Sequence, residues 1–158
     1  MRYDSRGFTL IELLVVLAIF SVLLSLAIPS FKGVLENQKL YADARQLATS
    51  LRATRNDAIY NEYPAKVQFY TADNSYLVTN KGFTKRYYLS LGIKYVGTTT
   101  FSASPVDKVP YCSFNSTGTP NQGGTVTLKN SRGTNRYIIV NPVAGRVRIS
   151  DKKPANWK

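Results

Sequence analysis

Residues 7–31 read GFTLIELLVVLAIFSVLLSLAIPSF. From Phe8 to Ile28 only Thr9, Glu12, Ser21 and Ser25 interrupt the apolar run, and Pro29 closes it. At 1.5 Å per residue an α-helix of that length covers roughly 30 Å, the thickness of a bilayer hydrocarbon core. The difficulty is Glu12, because an ionised carboxylate inside a membrane is costly. Three readings compete. A secretory signal has a basic start, which Arg2 and Arg6 supply, and a small-residue cleavage site, for which Ser25-Leu26-Ala27 qualifies, but Glu12 falls in its apolar part. A plain one-span anchor meets the same objection. The third reading gives the acid a partner. A cut after Gly7 would make the α-amine of Phe8 a cation at the membrane edge, and Glu12 of a neighbouring copy would pair with it. One amine and one acid per subunit is what head-to-tail, heterologous assembly needs.

Beyond the run, Pro29 predicts a kink, since it lacks an N–H and clashes one turn back. An amphipathic helix then follows. Leu40, Ala44, Leu47, Leu51 and Ala58 fall on steps of three and four and draw one apolar stripe, with Thr54 its one polar member. Asn61-Glu62-Tyr63-Pro64 reads as the stop. Phe8 to about Tyr60 is thus expected to be one helix of roughly 80 Å. Arg45, Arg52 and Arg55 read as a solvated face of it.

From Pro64 the period changes to two. Strands are expected at Val67–Tyr70, Tyr76–Thr79, Arg86–Leu91, Ile93–Val96, Tyr111–Phe114, Thr125–Lys129, Arg136–Asn141 and Gly145–Ser150, the last three as a meander. Asp73-Asn74-Ser75 and Asn80-Lys81-Gly82 mark turns, and Ser116–Gly124 a loop. One long helix followed by strands predicts an α+β protein with antiparallel sheet packed on the helix.

Charge and composition narrow the function. The 158-residue chain carries a formal +12, which favours anionic partners. It has no histidine, the commonest general base, and no nucleophile–base pair, phosphate loop or metal-ligand spacing. Neither an enzyme nor a cofactor-binding protein is expected. Cys112 stands alone, so it forms no intrachain disulfide and reads as a small buried apolar residue.

The cations are concentrated late. From Lys108 to the end, nine Lys or Arg face one acid, Asp151. Gly145-Arg146-Val147-Arg148-Ile149 is the sharpest piece. In a strand Val147 and Ile149 share one face, and Arg146 and Arg148 share the other, about 6.6 Å apart. That is about twice the 3.4 Å step per phosphate on one DNA strand, and guanidinium forks grip phosphates well. Arg132, Arg136, Lys152 and Lys153 are candidates to extend the patch, and Trp157 to stack on a base or dock the tail.

The motif Gly7-Phe8-Thr9-Leu10-Ile11-Glu12-Leu13-Leu14 resembles the type IV prepilin signature shared by pilins and pseudopilins. The resemblance implies a leader, residues 1–7, cut after Gly7 by a prepilin peptidase that also N-methylates Phe8, with Glu12 guiding filament assembly. Further on, Phe114-Asn115-Ser116-Thr117-Gly118, then Arg136-Tyr137-Ile138-Ile139-Val140, then Gly145-Arg146-Val147-Arg148-Ile149 resembles the GspH/FimT-type minor pilin domain. Some members of that family bind incoming DNA through a Gly-Arg-x-Arg motif, matched here by Gly145, Arg146 and Arg148. The resemblance therefore implies a pilin-like architecture: a transmembrane and assembly helix at 8–28, its soluble amphipathic half at 29–62, and a β-rich head at 63–158. It implies a single-pass protein of the cytoplasmic (inner) membrane, its head outside the cytoplasm, assembled with other pilins. The lone Cys112 cannot close the C-terminal disulfide loop of many major pilins, which favours a minor subunit. Two functions stay open: a minor pilin of a competence pilus that binds DNA without sequence preference, or a tip pseudopilin of a type II secretion filament with protein partners only.

Overall fold

The computed structural model describes residues 8–154, without the side chains of residues 26–30. The leader with its cleavage residue Gly7 and the docking of Trp157 therefore lie outside the described residues. The chain divides into two compact units, Met1–Leu35 and Glu36–Lys158.

One helix, α1 (Leu10–Tyr60), belongs to both units. In the first unit the large apolar side chains from Leu10 to Leu24 are exposed on every side. Such a helix needs an apolar environment to cover it. Among the described residues no helix is long and apolar enough to cross a membrane. The helix opens on a capping box: the Thr9 N–H (2.8 Å) and Oγ1 (2.9 Å) both donate to Glu12 Oε2, and the Glu12 N–H donates to Thr9 Oγ1 at 3.3 Å. Glu12 thus satisfies orphan donors of its own helix start.

In the second unit the same helix has a buried face. Leu40, Ala44, Leu47, Leu51 and Ala58 are all buried, as the stripe predicted, and Ala48 is buried with them. Thr54 is buried with them and tolerated because its hydroxyl donates to the Ser50 carbonyl at 2.7 Å. The helix ends at Tyr60, and Glu62 beyond it takes a left-handed conformation.

The head holds eight strands: β1 (Ala65–Tyr70), β2 (Ser75–Asn80), β3 (Phe83–Tyr88), β4 (Lys94–Tyr95), β5 (Tyr111–Phe114), β6 (Gly124–Lys129), β7 (Asn135–Val140) and β8 (Val147–Ser150). They form two four-stranded antiparallel sheets, ordered β3-β2-β1-β5 and β4-β6-β7-β8, so this is the α+β class expected. β6, β7 and β8 are the expected meander. β5 leaves it to pair with β1, and β4 reaches across to β6. Helix and both sheets share one core, in which Phe69, Tyr76, Phe114, Leu128 and Ile138 are fully buried. Each such large apolar side chain contributes about 1.5–3 kcal/mol of transfer free energy.

Candidate functional site

The site is built on the β7–β8 hairpin. Its loop, residues 141–145, is fixed by Asn141, whose side-chain oxygen accepts from the N–H groups of Val143 (2.9 Å) and Ala144 (2.8 Å). Backbone bonds from Asn141 N to Arg146 O (3.0 Å) and from Gly145 N to Asn141 O (3.1 Å) close it. The register then sets Val140 opposite Val147 and Ile139 opposite Arg148. Alternation sends Val147 into the core and Ile149 against it, while Arg146, just before the start of edge strand β8, and Arg148 within it are exposed on the outer face. Their stems line a shallow groove with Ile139 and Asn141.

Gly145 owes its identity to packing. Its φ is +63°, and a Cβ there would lie 2.7 Å from the Gly118 carbonyl oxygen, so only glycine lets the two loops approach this closely. Gly118 belongs to the 115–119 turn. In that turn Asn115 Oδ1 accepts from the N–H groups of Thr117 (3.2 Å) and Thr119 (2.9 Å). Two helix arginines brace the assembly: Arg55 Nε donates to Gly118 O at 2.9 Å, and Arg52 donates to Val147 O on the open edge of β8 at 2.9 Å. Arg45 lies further along, its guanidinium over the Tyr41 ring at 4.8 Å. Neighbouring grooves share these residues, one lined by Arg45, Arg52 and Ile149, the next by Arg52, Arg55, Gly145 and Arg146. Arg45, Arg52, Arg55, Arg146 and Arg148 therefore follow one seam, and none of them has an ion-pair partner among the described residues. By sequence alone the three helix arginines read as a solvated face. Their spacing of seven and three, one side of a helix, was the available signal.

The other predicted basic residues lie elsewhere. Arg136 is on the core-facing side of β7, with Ile138 and Val140. It pairs with Asp151 at 3.9 Å, and its guanidinium sits 5.9 Å from the centre of the Tyr41 ring. Arg132 sits in the β6–β7 turn, at the end of the sheet opposite Arg146 and roughly 20 Å away along the strands. That turn is tied to helix α1, where Asn130 donates to Asn37 at 2.8 Å and Ser131 bonds Glu36. Lys152 and Lys153 follow β8 towards this same end, past Asp151. The basic tail thus divides into Arg146 with Arg148 at one end of the sheet and Arg132, Lys152 and Lys153 at the other. Phe8 is exposed, next to the capping box that holds Glu12. Cys112 is fully buried in β5, and burial pushes its thiol up to about 12. No group of acids or cysteine among the described residues is arranged to hold a metal ion.

Residues 2–28 match the prokaryotic N-terminal methylation motif, and residues 43–145 match the family described as type II transport protein GspH. The competence protein ComGD of Bacillus subtilis is 27% identical over 150 residues, covering 94% of this chain and 96% of that protein. The type IV wide pilus major component PilA4 of Thermus thermophilus is 32% identical over 124 residues, covering 78% of this chain and 79% of that one. Two crystal structures of the type IV minor pilin FimU of Pseudomonas aeruginosa share the fold at 14% identity. Their TM-scores are 0.56 and 0.53, over 73% and 70% of this chain and 90% and 92% of theirs.

Proposed function

This chain belongs to the GspH family of type IV pilin-like proteins, and from that footing we propose that it is a minor pilin of a competence pilus that captures DNA from outside the cell. The leader 1–7 is removed after Gly7, Phe8 is N-methylated, and the apolar helix anchors the subunit in the cytoplasmic membrane until assembly. Glu12 then leaves its capping box for the amine of a neighbour. The likeness to a competence protein along nearly the whole length supports the choice of machine.

The observation that carries the DNA reading is Arg146 and Arg148 side by side on an exposed edge strand, with no acid paired to either among the described residues. Phosphate contacts position a nucleic acid without reading its sequence, so binding is non-specific and falls with salt. In the full mature protein in detergent, replacing both arginines by alanine lowers DNA affinity about a hundredfold, from two charge-assisted contacts. The thermal midpoint stays put, since both side chains face solvent. Unchanged affinity in a gel shift would remove the site. The GspH family description favours a second reading, a tip subunit of a secretion filament with protein partners only. A stable complex with other pseudopilins, and no DNA shift at moderate salt, would establish that one instead.

A further inference from the structure

We propose that Lys94 and Lys129 form a second phosphate contact on the same sheet face as Arg146 and Arg148, and that the ligand spanning both is double-stranded DNA. The proposal rests on the DNA reading above and deepens it. The register sets Lys94 directly opposite Lys129, and both are exposed. Their neighbours Tyr95 and Leu128 point to the core, so the lysines point outward. Successive cross-strand rows on that outer face run Lys94–Lys129–Asn135, then Thr127–Tyr137–Ser150, then Thr125–Ile139–Arg148. All the cations named thus share one face.

Like charges directly opposite one another oppose strand pairing. Here they do so on β4, only two residues long, and neither lysine has an acid partner among the described residues. An anion over the pair would relieve that repulsion. Arg148 lies two rows along and two strands across from Lys129, about 16 Å between backbones, and about 20 Å from Lys94. With long side chains leaning inward, that span suits the two backbones flanking a major groove about 12 Å wide. The face between the clusters offers a half-buried Thr127, Ser150 and Tyr137, while Ile139 is buried. Among the described residues it has no row of exposed aromatics on which the bases of a single strand would stack.

The test uses the full mature protein in detergent, titrated at several salt concentrations with a random-sequence duplex and with its single strand. Lys94→Gln with Lys129→Gln is expected to lower duplex affinity about tenfold at about 0.1 M salt and the salt slope by about two. Single-strand affinity changes less than about threefold. The thermal midpoint rises by about 1–4 °C, because the repulsion is gone. A rise in stability with a loss of binding distinguishes a lost contact from a damaged fold. Unchanged duplex affinity and slope, while Arg146→Ala with Arg148→Ala still weakens binding, overturns this inference alone. If the arginine variant also binds normally, the DNA reading falls with it. Equal losses on duplex and single strand overturn the choice of double-stranded DNA.

Discussion

The two sheets of the head share a layout and hold their outer-face arginines differently. On the outer face of β3-β2-β1-β5, Arg86 is fully engaged. It stacks 4.1 Å over the Tyr70 ring, donates to Ser75 Oγ at 3.1 Å and lies 3.8 Å from Asp73. Gln68 on that face is buried and bonds Asp107 of the 102–110 loop. On the outer face of β4-β6-β7-β8, Lys94, Lys129, Arg146 and Arg148 are exposed and have no acid partner among the described residues. A cation held by an aromatic ring and a carboxylate is part of the fold. Cations gathered on one face without such partners raise the local potential and mark a surface for an anion. Composition alone cannot separate the two cases, because both sheets contain basic residues.

The largest effect that would sharpen this contrast is expected at Gly145. Gly145→Ala forces a side chain into a left-handed backbone and against the Gly118 carbonyl. The cost is about 2–4 kcal/mol, a strain of 1–3 kcal/mol plus the displacement of a packed loop. A lowered denaturation midpoint together with weakened DNA binding is expected, since the same loops hold Arg146. A normal midpoint with lost binding would instead make Gly145 a contact in its own right.

Alkali probes the other sheet. Burial pushes Cys112 in β5 and Tyr76 in β2 up to about 12 each, from 9.0 and 10.0. Burial also raises Tyr95, in β4. A neutral acid whose folded value is raised contributes stability that is whole below its unfolded value and is lost as pH climbs towards the folded one. The loss therefore begins at about pH 9 with Cys112, reaches about 1 kcal/mol by pH 10 and continues at up to about 1.4 kcal/mol per unit towards pH 12, with the tyrosines adding theirs from about pH 10. Denaturation across this range should show Cys112→Ala flattening the slope from pH 9 onwards, most cleanly below pH 10, where the tyrosines contribute least. An unchanged slope from pH 9 to 10 would mean that the thiol is not the group that titrates.

Arg86→Ala is expected to cost about 1 kcal/mol, being partly solvent-screened, and to leave DNA affinity within about twofold. Arg146→Ala with Arg148→Ala does the reverse. This crossover breaks the comparison most directly. If both variants lose binding equally, charge anywhere on the head is what matters.

Much of this was legible in the sequence. The helix stripe and the bounds of Tyr111–Phe114 follow from periodicity, which is local. The alternation around Val147 exposed the arginine pair for the same reason. Pairing partners were not legible, because β5 joining β1 across some forty residues is decided by the shared core. Arg86–Leu91 was misplaced for a specific cause: the Ser90 N–H (2.7 Å) and hydroxyl (2.9 Å) are drawn off to the Asp43 carboxylate, so the ladder ends at Tyr88. Arg136 could have been placed correctly, since it shares its face with Ile138 and Val140. The helix arginines could not, because their spacing shows that they share a side but not which strand edge that side meets.

That last ambiguity sets the smallest prediction. Arg52 carries a charge along the seam and also caps an open-edge carbonyl of β8. Arg52→Lys keeps the charge but exchanges a planar fork for a point donor on a different stem. If bracing is the main role, stability falls by about 0.5–1 kcal/mol, the net value of one hydrogen bond. DNA affinity then stays within about threefold, because Arg146 and Arg148 are untouched. A larger fall in affinity with unchanged stability would move Arg52 from the scaffold to the binding face. The contact surface would then continue from the sheet around the edge of β8 onto the helix, instead of ending at that edge.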